Sequence, residues 1–320
     1  MSGDFGPRTA ILAAIDFART SPDVRLLLFG SRAAMARELG ANAPSTIDLV
    51  DASDVIAMGV DPRQALRHGQ NSSMWQALAA VADGRADACI SAGNTGALML
   101  ISRRVIGMLP GVEVPAICKA MPVRSGVTLM LDLGANINCS SAQLLQFAKM
   151  GSVLARASGV SVPRAALLNI GTEADKGTRV IREAATLLAQ ASDFDYVGFI
   201  EANAIYTGQV QVIVCDGFNG NVALKAGEGV ARLIAQRIED SLSSGFGRLV
   251  APLLWPLLKR WRAELNPDAY NGAILAGLAG TVVKSHGGAS VAATVNALRL
   301  ASEQVRFGAT EKIARALSAV

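Results

Sequence analysis

The chain has 320 residues, of which 51% are hydrophobic and 5% aromatic, and it contains 31 glycines. This length predicts a single domain over residues 1–320, built as one body or as two lobes around one cleft. The net charge of +4 comes from 30 basic and 26 acidic residues, without a basic block interleaved with aromatics, which argues against nucleic-acid binding and slightly favours anionic ligands.

Strand-like and helix-like segments alternate along the chain. The predicted strands are, in order, VRLLLFGS, ADACIS, GVTLMLDLG, RAALLNIG, DYVGFIEA and QVIVCDG. The predicted helices are RAAMARELG, SSMWQALAAVADG, SSAQLLQFAKMGSVLARASG, TRVIREAATLLAQ and VALKAGEGVARLIAQRIEDSL. Repeated strand–loop–helix units predict an α/β fold with a doubly wound, mostly parallel sheet, in a Rossmann-like three-layer sandwich.

Four of the strands end in similar loops, at residues 91–96, 132–138, 171–177 and 216–221. Each loop contains glycine and three contain asparagine. In an open parallel sheet such loops lie at one carboxyl end, where helix N-termini offer free N–H groups to a ligand. One such loop is usually a plain turn, whereas four favour a phosphate-like or oxyanion-like ligand. No loop matches a dinucleotide or nucleotide P-loop motif.

Charged residues in or after these loops have two interpretations each. Glu173 and Lys176 form either a solvated ion pair or, through Lys176, a point charge for phosphate. Asp216 and Lys225 are either a helix-terminal carboxylate and a surface lysine or part of a site. His286 alone is more typical of a loop histidine that the backbone satisfies.

Metal ligands and reactive thiols are few. The cysteines, Cys89, Cys118, Cys139 and Cys215, are far apart without a CxxC pair, and only two histidines are present. We expect no metal and no cofactor, and reduced thiols typical of a cytoplasmic protein. The N-terminus lacks the features of a signal peptide, and no uncharged apolar run is long enough to cross a bilayer.

Five ordered motifs resemble the acyl-ACP:phosphate acyltransferase family of bacterial phospholipid synthesis over nearly the whole chain. They are ADACISAGNTGALM, LDLGANINC, LLNIGTEADKG, VIVCDGFNGNVALK, and NPDAYNGAILAGL with KSHG. The resemblance implies transfer of a long-chain acyl group from acyl carrier protein to inorganic phosphate. A membrane acyltransferase would use the acyl-phosphate to acylate glycerol 3-phosphate. A homodimer and a fold similar to the phosphotransacetylases and the isocitrate dehydrogenase superfamily are also implied.

The chain departs from that family at a few positions. In the family, a short apolar strand precedes a Gly-Gly-Asp turn. This strand is absent before residues 1–4 of the chain, and we expect the start of the sequence to be misassigned. Val114 stands where arginine is usual, Gln211 where aspartate is common and Asn271 where glycine is common. We expect these substitutions to modify local contacts and to leave the reaction class unchanged.

The reaction requires phosphate to attack a thioester carbonyl. Because no motif places a cysteine beside a histidine, direct transfer in a ternary complex is expected. The predicted catalytic residues are Lys176, Asn94, Asn136, Asp216 and Asn221. The predicted substrate-binding residues are Gly93, Thr95, Gly96, Asp132, Gly134, Glu173, Gly217, Asn219, Lys225 and His286. Within this set we assign phosphate binding to Asn94, Thr95, Asn136 and Lys176, and orientation of the thioester or its oxyanion to Asn219 and Asn221.

Three alternatives remain open. The first is a short-chain phosphotransacetylase that uses acyl-CoA. The second is a non-catalytic scaffold that binds acyl carrier protein at the membrane. The third is an NAD(P)-linked dehydrogenase, against which the missing dinucleotide fingerprint and the missing acidic metal cluster argue.

An apolar and basic segment, residues 241–262, is too short to span a bilayer. It is either a buried helix or dimer interface, or an interfacial hairpin whose basic residues meet anionic lipid. The second interpretation predicts a cytoplasmic protein in peripheral membrane contact. Docking of the acidic acyl carrier protein is predicted on Arg232, Arg237, Arg248 and Lys259.

Overall fold

The structure is a computed structural model that describes residues 3–4, 6–40, 43–124, 126–243 and 267–318, with positions 248, 252, 254 and 259. The strands are β1 Leu26–Gly30, β2 Ile47–Asp51, β3 Ala88–Ser91, β4 Ala116–Pro122, β5 Val127–Leu131, β6 Arg164–Leu168, β7 Asp195–Ile200, β8 Val212–Val214, β9 Ala273–Ala276 and β10 Thr281–Lys284. The helices are α1 Pro7–Thr20, α2 Arg32–Leu39, α3 Pro62–His68, α4 Ser73–Ala82, α5 Thr95–Val105, α6 Ser141–Ala157, α7 Arg179–Ala189, α8 Gly217–Ser243, α9 Val291–Phe307 and α10 Ala309–Ser318. Two 3-10 helices cover Ala202–Ala204 and Pro267–Tyr270.

The predicted strands and helices are confirmed as β1, β3, β5–β8, α2, α4 and α6–α8. Several of these helices begin at the capping residues that the sequence offers. The Ser72 hydroxyl accepts the Trp75 N–H at the start of α4, and Ser140 forms a capping box with Gln143 at the start of α6. The structure adds α1, β2, α3, β4, β9, β10, α9 and α10.

Eight strands form one sheet in the order β3-β10-β9-β4-β5-β8-β6-β7, and β1 and β2 form a separate parallel pair. Helices cover both faces of the large sheet. Apolar residues of α3, α4, α5 and α8 share one core with the first face, and those of α6, α7, α9 and α10 share a second core with the other. The predicted three-layer α/β sandwich is therefore confirmed. The β1–β2 pair packs with α1 and α9 in a third, smaller core.

Strand direction reverses in the middle of this sheet. β3 and β10 are parallel, β9 is antiparallel to both β10 and β4, and β5 is antiparallel to β4 but parallel to β8. The carboxyl ends of β3 and β10 therefore lie at one rim, which we call the β3–β10 rim. Those of β5, β8, β6 and β7 lie at the opposite β5–β8 rim.

The prediction that all four glycine-containing loops lie at one carboxyl end is therefore wrong. Loops 132–138, 171–177 and 216–221 lie at the β5–β8 rim, and loop 91–96 lies at the β3–β10 rim. The prediction is wrong because the alternation of strand-like and helix-like segments does not reveal β4 and β9. β4 is joined to β5, and β9 to β10, without an intervening helix, and both connections make antiparallel pairs that change the direction of the sheet.

Helix α8 extends beyond the core. Nearly all its side chains after Gly229 are exposed, among them Val230, Leu233 and Ile234, with 56%, 57% and 52% of their surface accessible. None of the described helices combines the length and apolarity needed to span a bilayer. The predictions on residues 241–262 lie outside the described residues, except for the first three and four single positions.

Candidate active site

The β5–β8 rim is organised by a buried carboxylate. Asp132, which directly follows β5, is fully buried. Its oxygens accept hydrogen bonds from the backbone N–H groups of Ile117 (2.9 Å), Gly134 (3.2 Å), Ala135 (3.0 Å) and Asn136 (2.7 Å), and from the Asn136 amide (2.9 Å). Burial raises the pKa of this carboxyl, and the hydrogen bonds from Ala135, Ile117 and Asn136 offset part of the rise. Asp132 thus holds loop 132–138 and is not accessible to a substrate.

The loop after β8 packs directly on this first loop. The Gly217 N–H donates to the Asn136 carbonyl at 2.7 Å, and a Cβ on Gly217 would lie 2.6 Å from that oxygen. A Cβ on Gly220 would lie 1.9 Å from the Asp132 carbonyl oxygen, so only glycine fits at both positions. The side chain of Asn221 lies over Gly134 and is exposed.

Asp216 and Asn219 are hydrogen-bonded to each other. Asp216 accepts the Asn219 backbone N–H at 2.8 Å and the Asn219 amide at 2.7 Å. This arrangement caps the first turn of α8, as an acidic side chain at a helix N-terminus commonly does. The Asn136 amide is similarly occupied, since it also donates to the Pro115 carbonyl at 2.8 Å.

The third loop of this rim follows β6 and carries the predicted phosphate ligand. The Asn169 amide donates to the Lys176 carbonyl at 3.3 Å, and the Lys176 N–H donates to the Glu173 carbonyl at 3.1 Å, which closes a tight turn. Lys176 and Glu173 are both exposed, and among the described residues neither makes an ion pair. The solvated Glu–Lys pair of the alternative interpretation is therefore not formed, and the Lys176 ammonium remains available.

The β3–β10 rim brings loop 91–96 beside the loop after β10. The Asn94 amide donates to the Met58 and Val60 carbonyls at 2.7 and 3.0 Å, and its oxygen accepts the Ala97 N–H at 2.9 Å. Asn94 is therefore the N-cap of α5, and its amide is fully used within the protein. Thr95 follows at the first helical position with an exposed side chain.

His286 lies at the same rim and is held by its own loop. Its Nδ1 accepts the Gly288 N–H at 3.0 Å, so the ring presents Nε2 outward as a donor. Asn271 fixes this loop: its amide donates to the Ser285 hydroxyl and the Ala293 carbonyl, both at 2.8 Å, and its oxygen accepts the His286 N–H at 3.0 Å. Asn271 thus ties the loop to α9.

Lys225 lies far from either rim. Its ammonium pairs with Glu228 one turn on in α8 at 2.8 Å, and Glu228 also pairs with Lys119 of β4 at 3.6 Å. Burial lowers the pKa of Lys119, and the charge of Lys225 lowers it further. Burial alone would raise the pKa of Glu228, but the hydrogen bond from Lys225 and the charge of Lys119 keep it below its usual value.

The thiols near the β5–β8 rim are not nucleophiles. Burial raises the pKa of Cys139 to about 12, and burial with the charge of Asp132 raises that of Cys215 well above its usual value. A thiol with such a pKa is protonated at neutral pH and is a poor nucleophile. Within the described residues, no group of three His, Cys, Asp or Glu side chains is placed to hold a metal ion.

The structure thus divides the predicted site residues into two groups. Nine of them are brought together at the β5–β8 rim: Asp132, Gly134, Asn136, Glu173, Lys176, Asp216, Gly217, Asn219 and Asn221. Five lie at the β3–β10 rim: Gly93, Asn94, Thr95, Gly96 and His286. Two lysines whose pKa burial lowers, Lys119 and Lys284, are absent from the predicted site residues, although Lys284 is part of the KSHG motif. A single lysine inside an otherwise apolar strand, as in AICKAM and TVVK, is the signal that could have found them.

Comparison with known proteins gives matches along nearly the full chain. The model of the family described as fatty acid synthesis protein matches residues 1–312. The phosphate acyltransferase of Cellvibrio japonicus (strain Ueda107) is 52% identical, over 99% of this chain and 96% of that protein. The phosphate acyltransferase of Pseudomonas savastanoi pv. phaseolicola (strain 1448A / Race 6) is 48% identical, over 98% and 93%.

Solved structures share the fold. A phosphotransacetylase from Streptococcus pyogenes matches with a TM-score of 0.62 at 17% identity, over 93% of this chain and 91% of that one. A 4-hydroxythreonine-4-phosphate dehydrogenase from Klebsiella pneumoniae matches with a TM-score of 0.55 at 13% identity, over 94% and 95%. The expected likeness to the phosphotransacetylase fold is confirmed.

The structural role of the Asp132 carboxylate can be tested with the substitution Asp132→Asn. The new NH2 group would face N–H donors, so we expect a loss of about 1–3 kcal/mol in the free energy of unfolding for each donor left unpaired. Urea denaturation measures this loss. Asp216→Asn is the matched control, because asparagine caps a helix about as well as aspartate, and its effect should stay within about 0.5 kcal/mol. Equal losses in the two variants would contradict the role assigned to Asp132.

Proposed function

Because the chain belongs to the fatty acid synthesis protein family, we propose that it transfers a long-chain fatty acyl group from acyl carrier protein to inorganic phosphate. Relatives at 45–52% identity over nearly the whole chain are phosphate acyltransferases, and this chain is an acyltransferase of that class. It forms an acyl-phosphate for phospholipid synthesis. The identity of the acyl donor, the roles of individual residues and the partners are our proposals.

The site assignment rests on one observation: three loops converge at the β5–β8 rim. They follow neighbouring parallel strands, which lie roughly 5 Å apart. They present the start of α8, the exposed side chain of Asn221 and the ammonium of Lys176 at one end of the sheet. Such a set of neutral donors with one cation suits a phosphate that must attack a carbonyl.

We assign Lys176 to the phosphate and Asn221 to the thioester carbonyl. A phosphate oxygen forms the new bond to the carbonyl carbon, the C–S bond breaks, and the thiolate of the carrier leaves. Lys176 offsets the charge of phosphate, and Asn221 donates to the oxyanion that develops. Because the nearby thiols stay protonated, no acyl-enzyme step is needed.

Several other predicted residues act through the loops they hold. Asp132, Asn136, Asp216 and Asn219 use their side chains on backbone or on each other, so we assign them to positioning. Gly134 and Gly217 let the two loops approach, and Glu173 shapes the turn that carries Lys176. At the opposite rim Asn94 caps α5, which leaves Gly93, Thr95, Gly96 and His286 as candidates to contact the extended arm of the donor.

Exposed apolar side chains beside the same rim support a long-chain acyl group. Ile137 and Phe218 belong to two of the loops and Ile170 directly precedes the third, and they have 70%, 60% and 82% of their surface accessible, respectively. Large apolar residues clustered on a surface usually mark a site of interaction. A fatty acyl chain next to the reacting carbonyl would cover them, whereas an acetyl group would not.

We also propose a homodimer and docking of acyl carrier protein on α8 and on two described positions beyond its end. The exposed Val230, Leu233 and Ile234 offer an apolar stripe for a second copy of the chain. The predicted basic residues Arg232, Arg237, Arg248 and Lys259 are all exposed, as docking of an acidic carrier requires.

The donor can be identified by following thiol release that depends on phosphate. We expect a higher kcat/KM with palmitoyl-ACP than with acetyl-CoA. The rate with palmitoyl-ACP should also fall more steeply with added salt than the rate with palmitoyl-CoA, because salt screens the basic docking surface. Preference for acetyl-CoA would favour a short-chain phosphotransacetylase. Absence of release with every donor would favour the non-catalytic scaffold.

Lys176→Ala tests the phosphate ligand. The loss of one charge-assisted hydrogen bond, worth roughly 1.5–3 kcal/mol, should lower kcat/KM for phosphate about 10- to 100-fold. Steady-state kinetics at varied phosphate measures this. Lys312→Ala removes an exposed lysine that lies over the Phe307 ring on the far face and should leave the kinetics unchanged. Wild-type values for Lys176→Ala would remove this lysine from the mechanism.

Leu254→Glu tests the proposed peripheral membrane contact of segment 241–262. Leu254 is partly exposed, at 37% of its surface. A charge there should release the protein from anionic liposomes in a cosedimentation assay, while the dimer stays folded and active. If the variant unfolds or becomes monomeric by sedimentation velocity, the segment belongs to the core or the dimer interface instead.

A further inference from the structure

Two lysines outside the assigned site lie in one row across the large sheet, in which Lys284 is the last residue of β10 and Lys119 lies within β4. Lys284 of β10 is paired with Ala273 of β9, and Ala273 is paired in turn with Lys119 of β4. The next residues of the row are Ser91 of β3 and Met130 of β5. Strands lie about 4.8 Å apart, so the two lysine Cα atoms are roughly 10 Å from each other, with one small side chain between them.

Both lysines face the same side of the sheet. Ile117 and Met121, two residues before and after Lys119, belong to the core shared with α5 and α8, and so does Val282, two residues before Lys284. Side chains two apart in a strand point to the same face. Each of the three residues in the Lys119–Ala273–Lys284 row is partly exposed, so the row is accessible between the helices of that face.

The row carries more positive charge than the protein neutralises. Glu228 serves two ammonium groups, those of Lys119 and Lys225. Lys284 makes no ion pair among the described residues: its ammonium donates to the Ser285 carbonyl, and Asp4 is the acid whose charge acts on it. Burial lowers the pKa of Lys284 to about 8, as is typical of an ammonium group that lacks a close counter-ion.

The formal charges point to a singly charged ligand. Three lysines stand against two carboxylates, Glu228 and Asp4, which leaves one net positive charge. A phosphodiester carries one negative charge at neutral pH. The flexible stems of Lys119 and Lys284 flank Ala273, whose own side chain is only a methyl group.

We propose that the Lys119–Ala273–Lys284 row binds a phosphate group of the acyl donor, the phosphodiester that joins the pantetheine arm to its carrier. The inference rests on the proposed function, because it takes an acyl thioester of pantetheine as the substrate. The row lies several strands away from Lys176, so it is separate from the phosphate that reacts. The arm would run from the row to the β5–β8 rim, where the thioester meets phosphate.

The test separates the donor's phosphate from inorganic phosphate. In Lys119→Met and Lys284→Met we expect the KM for palmitoyl-ACP to rise roughly 10-fold, with the KM for inorganic phosphate unchanged. As an inhibitor competing with palmitoyl-ACP, the methyl phosphodiester of 4′-phosphopantetheine should bind the wild type more tightly than pantetheine does, and this difference should disappear in both variants. Lys119→Arg and Lys284→Arg should retain most of the affinity.

Lys312→Met is the matched control, and thermal unfolding of each variant checks that it is folded. A rise in the KM for inorganic phosphate instead would place the reacting phosphate at the row and overturn the proposal. Unchanged constants for both substrates would show that the row binds neither. Calorimetric titration with the methyl phosphodiester of 4′-phosphopantetheine needs no turnover, so it tests the row even if the wild type transfers no acyl group and the proposed function fails.

Discussion

The backbone hydrogen bonds from β10 through β9 and β4 to β5 reverse the direction of the sheet. The three pairings β10–β9, β9–β4 and β4–β5 are antiparallel, whereas the pairs on either side of them are parallel. Since ligand-binding loops follow the carboxyl ends of strands, the reversal creates two rims. Helix α8 starts at the β5–β8 rim and carries Glu228 back across the sheet to Lys119. The two halves of the molecule are thereby linked across one face.

At the β5–β8 rim most polar side chains are used within the protein itself. A buried carboxylate must be hydrogen-bonded, and the Asp132 oxygens meet that need by collecting the N–H groups of their own loop. The same loop then accepts the N–H of Gly217, which fixes the start of α8. What remains for a substrate is small, namely the ammonium of Lys176, the amide of Asn221 and the N–H of Phe218, since the N–H groups of Gly217, Asn219 and Gly220 are bonded within the protein. A positioned loop with few free donors is an efficient way to bind an anion without a metal or a nucleophile, because the donors are oriented before the substrate arrives.

The charges of the structure also separate two kinds of lysine. Lys149 is buried and pairs with Asp193 at 3.2 Å, as a structural lysine does. Lys119 and Lys284 are less buried than Lys149. The two carboxylates that act on them, Glu228 and Asp4, do not neutralise the combined charge of Lys119, Lys284 and Lys225. Burial without full neutralisation is costly, and it is tolerated where an anion completes the set. The row therefore differs in kind from the ion pairs on the outer surface of the protein.

The sequence by itself determined the reaction class and the chemistry of the loops. Apolar runs, glycine and asparagine are local signals, and the five ordered motifs led to the family without any coordinates. It also predicted Lys176 and Asn221 as site residues, because each lies a few residues after a strand that the sequence predicts to be buried. Only the tertiary structure decided which loops meet. The β9–β10 and β4–β5 pairings join strands by their register, and no local pattern in AICKAMP or AILA specifies a direction. The β9–β10 and β4–β9 pairings place Lys119 and Lys284 in one row, two strands apart, although 164 residues separate them in the sequence, since contacts between strands depend on the packing of the whole chain.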